Sequence, residues 1–305
     1  MKISVIIPVF RGDRYLPELL DTLKNQDVED LEILVVETEP GSFCREATQK
    51  HGARWIAVDA TEFDHAGTRT MAAREARGDI LVFLSQDVLP STPSTLSLLI
   101  QGLLENNTIG AAYGRQIAPN DDPPWGSIKR GFIYREGSHI RTQSDGECFG
   151  FKATFLSNAF AAYRRQALEE AGWFGDRSLM CEDTSAGARL LLKGWSIAYV
   201  ADATVVHDHP TALGIEARRY FDIGAAYRDL RWTRGEFGPP RPEGRQFITF
   251  GIHHLAATGR SHLIPVFATR GLVKLAAYHL GKRHHLLPRS LVSRLSGFPD
   301  WWRRK

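Results

Sequence analysis

Three carboxylates and one histidine stand where this chain could do chemistry. Asp87 closes the run Gly78-Asp79-Ile80-Leu81-Val82-Phe83-Leu84-Ser85-Gln86-Asp87. An apolar strand that ends on an acid delivers it to the edge of a sheet. There, a hard divalent ion bridging a diphosphate takes one or two carboxylate oxygens plus water. The ordinary alternative is a cap for the helix after Pro90, and the residue alone does not separate the two. Cys181-Glu182-Asp183 opens a helix after Gly172-Trp173-Phe174-Gly175-Asp176. Acids at a helix start commonly do no more than complement its dipole. The chemical reading is a general base for a hydroxyl, because a neighbouring like charge lifts one carboxyl towards neutrality. His207-Asp208-His209 follows a strand-like run at 203–206. An imidazole there could complete a metal shell with Asp87, although a lone histidine is more often structural.

The elements that must position these groups alternate. Residues 3–9 are a β-branched run suited to a strand covered on both faces. Leu16, Leu19, Leu20 and Leu23 recur at helical spacing. Strands are predicted at 31–36, 54–58 and 80–84, with a helix at 66–76 closed by Arg77-Gly78. This is the α/β pattern of a doubly wound, mainly parallel sheet, which binds ligands beyond the carboxyl ends of its strands. A helix near 94–105, a strand at 110–117 and a polar stretch from 118 to 150 follow; the stretch reads as a long functional loop. Next come a strand at 155–163, helices at 165–171 and 182–193, a strand at 195–200 and an amphipathic helix at 212–232. A Gly/Pro break at 235–242 separates a basic helical region. The expected organisation is a main domain, 1–235, dividing near 118 into two halves, with an appendage at 236–305.

A net charge of +3 over 305 residues does not argue for nucleic acid. Its distribution is uneven, since after Glu243 the only acid is Asp300. Cys44, Cys148 and Cys181 are too sparse for a disulfide framework and read as reduced thiols. The short apolar start lacks a cleavage site and reads as a strand. The most apolar stretch, 263–280, is broken by Arg270 and Lys274, so no membrane span is expected. The expectation is a cytoplasmic chain, at most peripheral on the inner face of the membrane. Leu286, Leu287, Leu291, Leu295, Phe298, Trp301 and Trp302 interleave with cations. That is the composition of a helix lying on anionic lipid, weighed against an ordinary solvated face.

Taken in order, Ile6-Ile7-Pro8-Val9-Phe10, Phe63-Asp64-His65-Ala66-Gly67-Thr68-Arg69, Phe83-Leu84-Ser85-Gln86-Asp87, Glu182-Asp183 and Val206-His207 resemble the family 2 glycosyltransferases of the GT-A fold. The Gln86-Asp87 form of the metal motif, the stretch at 155–165 and the stretch at 203–209 leading into 219–224 are most similar to bacterial rhamnosyltransferases, and 274–283 followed by Leu287-Pro288 fits them too. The resemblance implies a nucleotide-sugar site that includes Pro8, Val9, Phe10, Glu37, Arg69, Gln86, Asp87, Ser157 and Asn158. Within it, Glu37 would accept from the base imide. It further implies Mg²⁺ or Mn²⁺ at Asp87 with His207 as a candidate ligand, and Asp183 as catalytic base beside Glu182. The implied reaction is inverting transfer, with L-rhamnose passing from dTDP-L-rhamnose to a surface-polysaccharide or lipid-linked glycan.

The sequence also departs from the family. Ser85 stands where the metal motif usually has its first acid, and Glu37-Thr38-Glu39 replaces the usual acid-Gly-Ser. A UDP-hexose donor stays open. A sugar nucleotidyltransferase would need its Gly-rich loop straight after the first strand, whereas Gly67-Thr68-Arg69 comes two strands later.

Overall fold

The computed structural model describes residues 1–39, 42–119, 123–208, 212–239 and 243–303. His209, Pro40, Gly41, residues 240–242 of the Gly/Pro break and the last two cations lie outside the described residues. The chain runs β1 (Ile3–Phe10), α1 (Leu16–Lys24), β2 (Leu31–Thr38), α2 (Ser42–Lys50), β3 (Arg54–Val58), α3 (His65–Glu75), β4 (Ile80–Leu84) and β5 (Val88–Pro90). It continues through α4 (Thr95–Leu104), β6 (Ile109–Ile117), α5 (Pro124–Ile133), β7 (His139–Arg141), α6 (Gly146–Phe149), β8 (Phe160–Arg164) and α7 (Arg165–Glu170). Then come α8 (Glu182–Leu192), β9 (Ser196–His207), α9 (Leu213–Asp229), α10 (Thr233–Phe237), α11 (Gly244–Ala257), α12 (Ile264–Lys282), α13 (Arg289–Leu295) and α14 (Pro299–Arg303).

The strands form one sheet ordered β3-β2-β1-β4-β8-β6-β9-β5, with β7 paired to β9. β1, β2, β3 and β4 are mutually parallel where they pair, β8 enters antiparallel, and β6 and β9 are parallel to each other. Both faces are buried, as the unbroken β-branched runs require. Val5, Ile7, Val9 and Val82 face a core with α1 and α4; Ile6, Leu34, Leu81 and Phe83 face one with α3 and α8. The mixed directions put several chain segments at one edge. Leu84 pairs with Phe160 and Ser85 N–H donates to Ala159 O, so the start of β8 lies beside the end of β4. Val88 pairs with His207, which brings the end of β9 there too.

Three sequence expectations change. The stretch 118–150 is not one loop: α5 forms within it because Ile128 and Trp125 pack against Leu255, Phe267 and Phe247. The strand-like runs at 195–200 and 203–206 are parts of a single strand, β9, with a register shift against β6 after Gly114. In the tail, Leu287, Leu295, Phe298, Trp301 and Trp302 pack inward with Phe221 and Leu179, leaving Leu286 (70%) and Leu291 (40%) exposed. Among the described residues no helix is long and apolar enough to cross a membrane.

The tail returns to the body because α12 lies directly on α9. A Cβ at Gly281 would fall 1.8 Å from Phe221 O, and one at Gly224 2.1 Å from Tyr278 O. Only glycine admits that backbone approach. Beyond α12, Asp222 of α9 is fully buried and accepts Ser296 Oγ–H at 2.6 Å and Gly297 N–H at 2.7 Å. The segment leading into α14 is thereby tied across the carboxyl edge of the sheet.

Candidate active site

Asp87 and His207 meet at that edge. Asp208 N–H donates to Asp87 O at 3.0 Å, so the two segments are zipped together by backbone. His207 Nε2 lies 3.2 Å from Asp87 Oδ2, and Nδ1 lies 2.7 Å from Gln116 Oε1. The amide oxygen only accepts, so Nδ1 carries the proton and Nε2 offers its lone pair. Burial holds the imidazole below its ordinary value, which makes it neutral near pH 7. A lone pair and a carboxylate oxygen facing each other suit a cation between them. The cap position of α4 is held by Ser94, not by Asp87.

The second group is built by α3 and α8. Asp64 caps α3, accepting from Ala66 N–H at 3.1 Å and Gly67 N–H at 2.8 Å. One turn on, Arg69 Nη1 reaches His65 Nδ1 at 3.2 Å, the i, i+4 spacing of a helix face. Its Nε lies 3.2 Å from Glu182 Oε1 in an ion pair buried on both sides. Asn158 Nδ2 donates to the same carboxylate at 3.1 Å, while its Oδ1 accepts from Tyr163 Oη at 2.6 Å. Burial opposes charge on Glu182, yet Arg69, His65 and Asn158 hold its carboxyl below the usual range. Asp183 goes the other way. Burial first, and then the Glu182 charge, push it up to about 7, against the N–H groups of Asn158 and Thr184 that it accepts. Two adjacent carboxyls with pKa values driven apart define one fixed anion and one proton acceptor.

Two clefts open along this edge, of about 480 and 560 Å³, both of a size for small-molecule ligands. Pro8, Val9, Phe10 and Gln86 line the first; Ser157, Asn158, Glu182, Asp183 and His207 line the second. His65, Arg69, Ser85, Asp87 and Phe298 line both. Gln86 makes a two-way amide pair with the Phe10 backbone, fixing the end of β1.

Glu37 corrects an expectation. It is 2% exposed, its carboxylate takes the Trp55 Nε1–H at 2.8 Å, and Thr38 and Glu39 line the cleft in its place. Strand alternation sets residue 37 on the opposite face of β2 from Thr38, and Glu39 lies just past the strand with φ 56°. Asn158 lines the second cleft, and its amide donates to Glu182 and accepts from Tyr163, so it also holds the carboxylate in place. Ser157 belongs to the second cleft, where Gln116 Nε2 donates to its Oγ at 2.9 Å. Sequence reasoning missed His65, Gln116 and the terminal segment with Phe298. His65 had a signal, its helical spacing from Arg69; Gln116 and Phe298 had none.

Residues 4–172 match the sequence model of glycosyl transferase family 2. The chain is 30% identical over 304 residues to the O-antigen chain rhamnosyltransferase RfbN of Salmonella typhimurium, covering 99% of this chain and 96% of that one. It is 29% identical to WbaN of Salmonella anatum, another O-antigen chain rhamnosyltransferase, over 98% of this chain and 95% of the relative. Among solved structures, the mannosyltransferase PcManGT from Pyrobaculum calidifontis, in complex with GDP-Man and Mn²⁺, superposes with a TM-score of 0.63 at 18% identity. That match covers 92% of this chain and 86% of the other. Staphylococcus aureus TarS 1-349 in complex with UDP-GlcNAc gives 0.56 at 16% identity, over 97% and 84%. These structures share the expected GT-A sheet. With the family model matching residues 4–172 and a relative 30% identical over 99% of the chain, the chain belongs to glycosyl transferase family 2.

Proposed function

We propose that this glycosyltransferase moves L-rhamnose from dTDP-L-rhamnose to a hydroxyl of a bacterial surface glycan, with inversion. One observation carries the mechanism: Asp183, a raised carboxyl held by two backbone N–H groups, lines the second cleft together with the Asp87–His207 pair. The rhamnosyl donor rests on the two full-length relatives.

The nucleoside lies in the first cleft against Pro8, Val9 and Phe10, with its diphosphate directed to Asp87. Asp87 and His207 would hold Mg²⁺ or Mn²⁺. Among the described residues there is no group of three or more His, Cys, Asp or Glu fit for a metal. A hard divalent ion bound by one carboxylate and one imidazole, with phosphate oxygens and water completing its shell, fits that donor set. When bound it supplies positive charge to the leaving diphosphate. The acceptor enters the second cleft, where Asp183 takes the proton from its hydroxyl. The oxygen attacks the anomeric carbon as the bond to the diphosphate breaks on the opposite face, so a β-linked donor gives an α-rhamnoside. Glu182 stays ionised against Arg69, which keeps Asp183 basic. The glycan is carried on lipid, and the chain meets an anionic membrane through α12, whose Leu272, Leu275 and Leu280 are exposed beside Arg283.

The test is release of nucleoside diphosphate from a panel of dTDP- and UDP-sugars, with and without chelator. dTDP-L-rhamnose should be turned over fastest, and chelation should stop it. Preference for a UDP-hexose would overturn the donor assignment. For the membrane face, Leu272→Glu with Leu275→Glu should abolish pelleting with phosphatidylglycerol vesicles; unchanged pelleting would remove α12 from that role.

A further inference from the structure

We propose that the donor sugar sits where the two clefts join, hydrogen-bonded by His65 and walled by Phe298, and that this wall selects a 6-deoxyhexose. The inference rests on the rhamnosyl reading above. The anomeric carbon must lie next to the diphosphate at Asp87 and within reach of Asp183, and that position is the junction of the clefts.

Two side chains at the junction have unused capacity there. Arg69 donates to His65 Nδ1, and a guanidinium only donates, so the His65 proton is on Nε2. That N–H is buried and has no hydrogen-bond partner among the described residues. A buried donor of this kind is normally satisfied, and a sugar hydroxyl at the junction would satisfy it. Phe298 is the apolar residue common to both clefts. Its ring meets His65 edge-on at 5.0 Å, and Leu179 and Met180 continue the apolar surface on either side. The ring is not a loose tail residue. Asp222 fixes Ser296 and Gly297, Ser296 Oγ accepts Phe298 N–H at 2.9 Å, and Trp301 carries the Arg177 guanidinium over its face.

A sugar in this seat has a polar edge towards His65, Arg69 and Ser85 and an apolar edge towards Phe298. A C6 methyl gains from contact with the ring. A C6 hydroxyl would lose its water and find no partner.

The probe pair is dTDP-L-rhamnose and dTDP-L-mannose, which differ only by the hydroxyl on C6. Wild-type kcat/KM for donor turnover should favour the deoxy sugar by roughly 10–100-fold, the range an apolar wall gives against one added hydroxyl. Phe298→Leu should keep that ratio, whereas Phe298→Tyr, which offers O6 a partner, should narrow it to about 3-fold or less. His65→Ala should raise KM for both sugars together and leave the ratio as it was. Equal use of both sugars by the wild type, or an undiminished ratio in Phe298→Tyr, overturns the inference. Turnover of neither sugar by protein that still binds dTDP would instead overturn the rhamnosyl reading, a result separable from a ratio of one.

Discussion

Exchanging Asp183 for Asn should destroy turnover and, above neutral pH, stabilise the protein. Asp183 in the fold is raised from 3.8 to about 7 by burial and by Glu182. The unfolded chain releases this proton near 3.8 and the native chain keeps it until about 7. Asp183 therefore lowers stability progressively as pH rises between those values, and by a constant amount above them. The rise is about three units, at ~1.4 kcal/mol each, so the burden approaches about 4 kcal/mol at pH 8 and is about 1–2 kcal/mol at pH 5. Asn carries no such burden. It does lose something, because its amide can accept from only one of the two N–H groups, Asn158 or Thr184, that the carboxylate takes. That costs about 1–3 kcal/mol at any pH. The sign at pH 5 is therefore near balance, while the difference between the two proteins should widen by about 2–3 kcal/mol, in favour of the Asp183→Asn variant, from pH 5 to pH 8. Thermal unfolding of both proteins from pH 5 to 9 without donor, beside turnover at each pH, measures it. Turnover in the wild type should rise with pH through about 7, the value of the Asp183 carboxyl, and the variant should lack that rise and be slower by about 10²–10⁴-fold above it. Stability curves that run parallel across this range would refute the electrostatic account, and retained turnover would remove Asp183 from the base role.

Four further outcomes follow from the geometry. Gln116→Leu removes the acceptor that holds His207 Nδ1–H; the Mn²⁺ concentration needed for dTDP binding, followed by calorimetry, should rise by about 10–100-fold. Asp222→Ala frees Ser296 and Gly297. dTDP-L-rhamnose binding should weaken by about tenfold or more, since each hydrogen bond to a charged group is worth ~1.5–3 kcal/mol, while the Asp183-dependent pH limb should persist. Gly281→Ala places a Cβ 1.8 Å from Phe221 O and should lower stability by about 1–3 kcal/mol. Gly271→Ala, in the same helix with nothing within 4 Å, should raise it by about 0.5–1 kcal/mol.

What could be read from the sequence divides along the range of the forces involved. Asp87 was legible because an apolar run ending on an acid states both the strand and its exit point, and β4 delivers it as expected. The Glu182-Asp183 pair was legible as a place of perturbed acidity, since adjacency alone guarantees repulsion. Which of the two carboxyls is raised was not derivable from the pair. It is decided by Arg69 and Asn158, which arrive from α3 and the turn before β8 and load their charge and hydrogen bond onto Glu182. The tail shows the limit most sharply. Phe298 and Trp301 among cations carry the composition of a lipid-facing helix, and composition cannot say which way a ring turns. Their direction is set by Asp222, 74 residues before Ser296, and by two glycines that let α9 and α12 touch backbone to backbone. Removing 285–305 would therefore open the first cleft as well as remove any membrane contact. A truncated chain that fails to pellet with vesicles says nothing about lipid until its dTDP affinity is known, which is why the membrane test belongs on the exposed leucines of α12 and not on the tail.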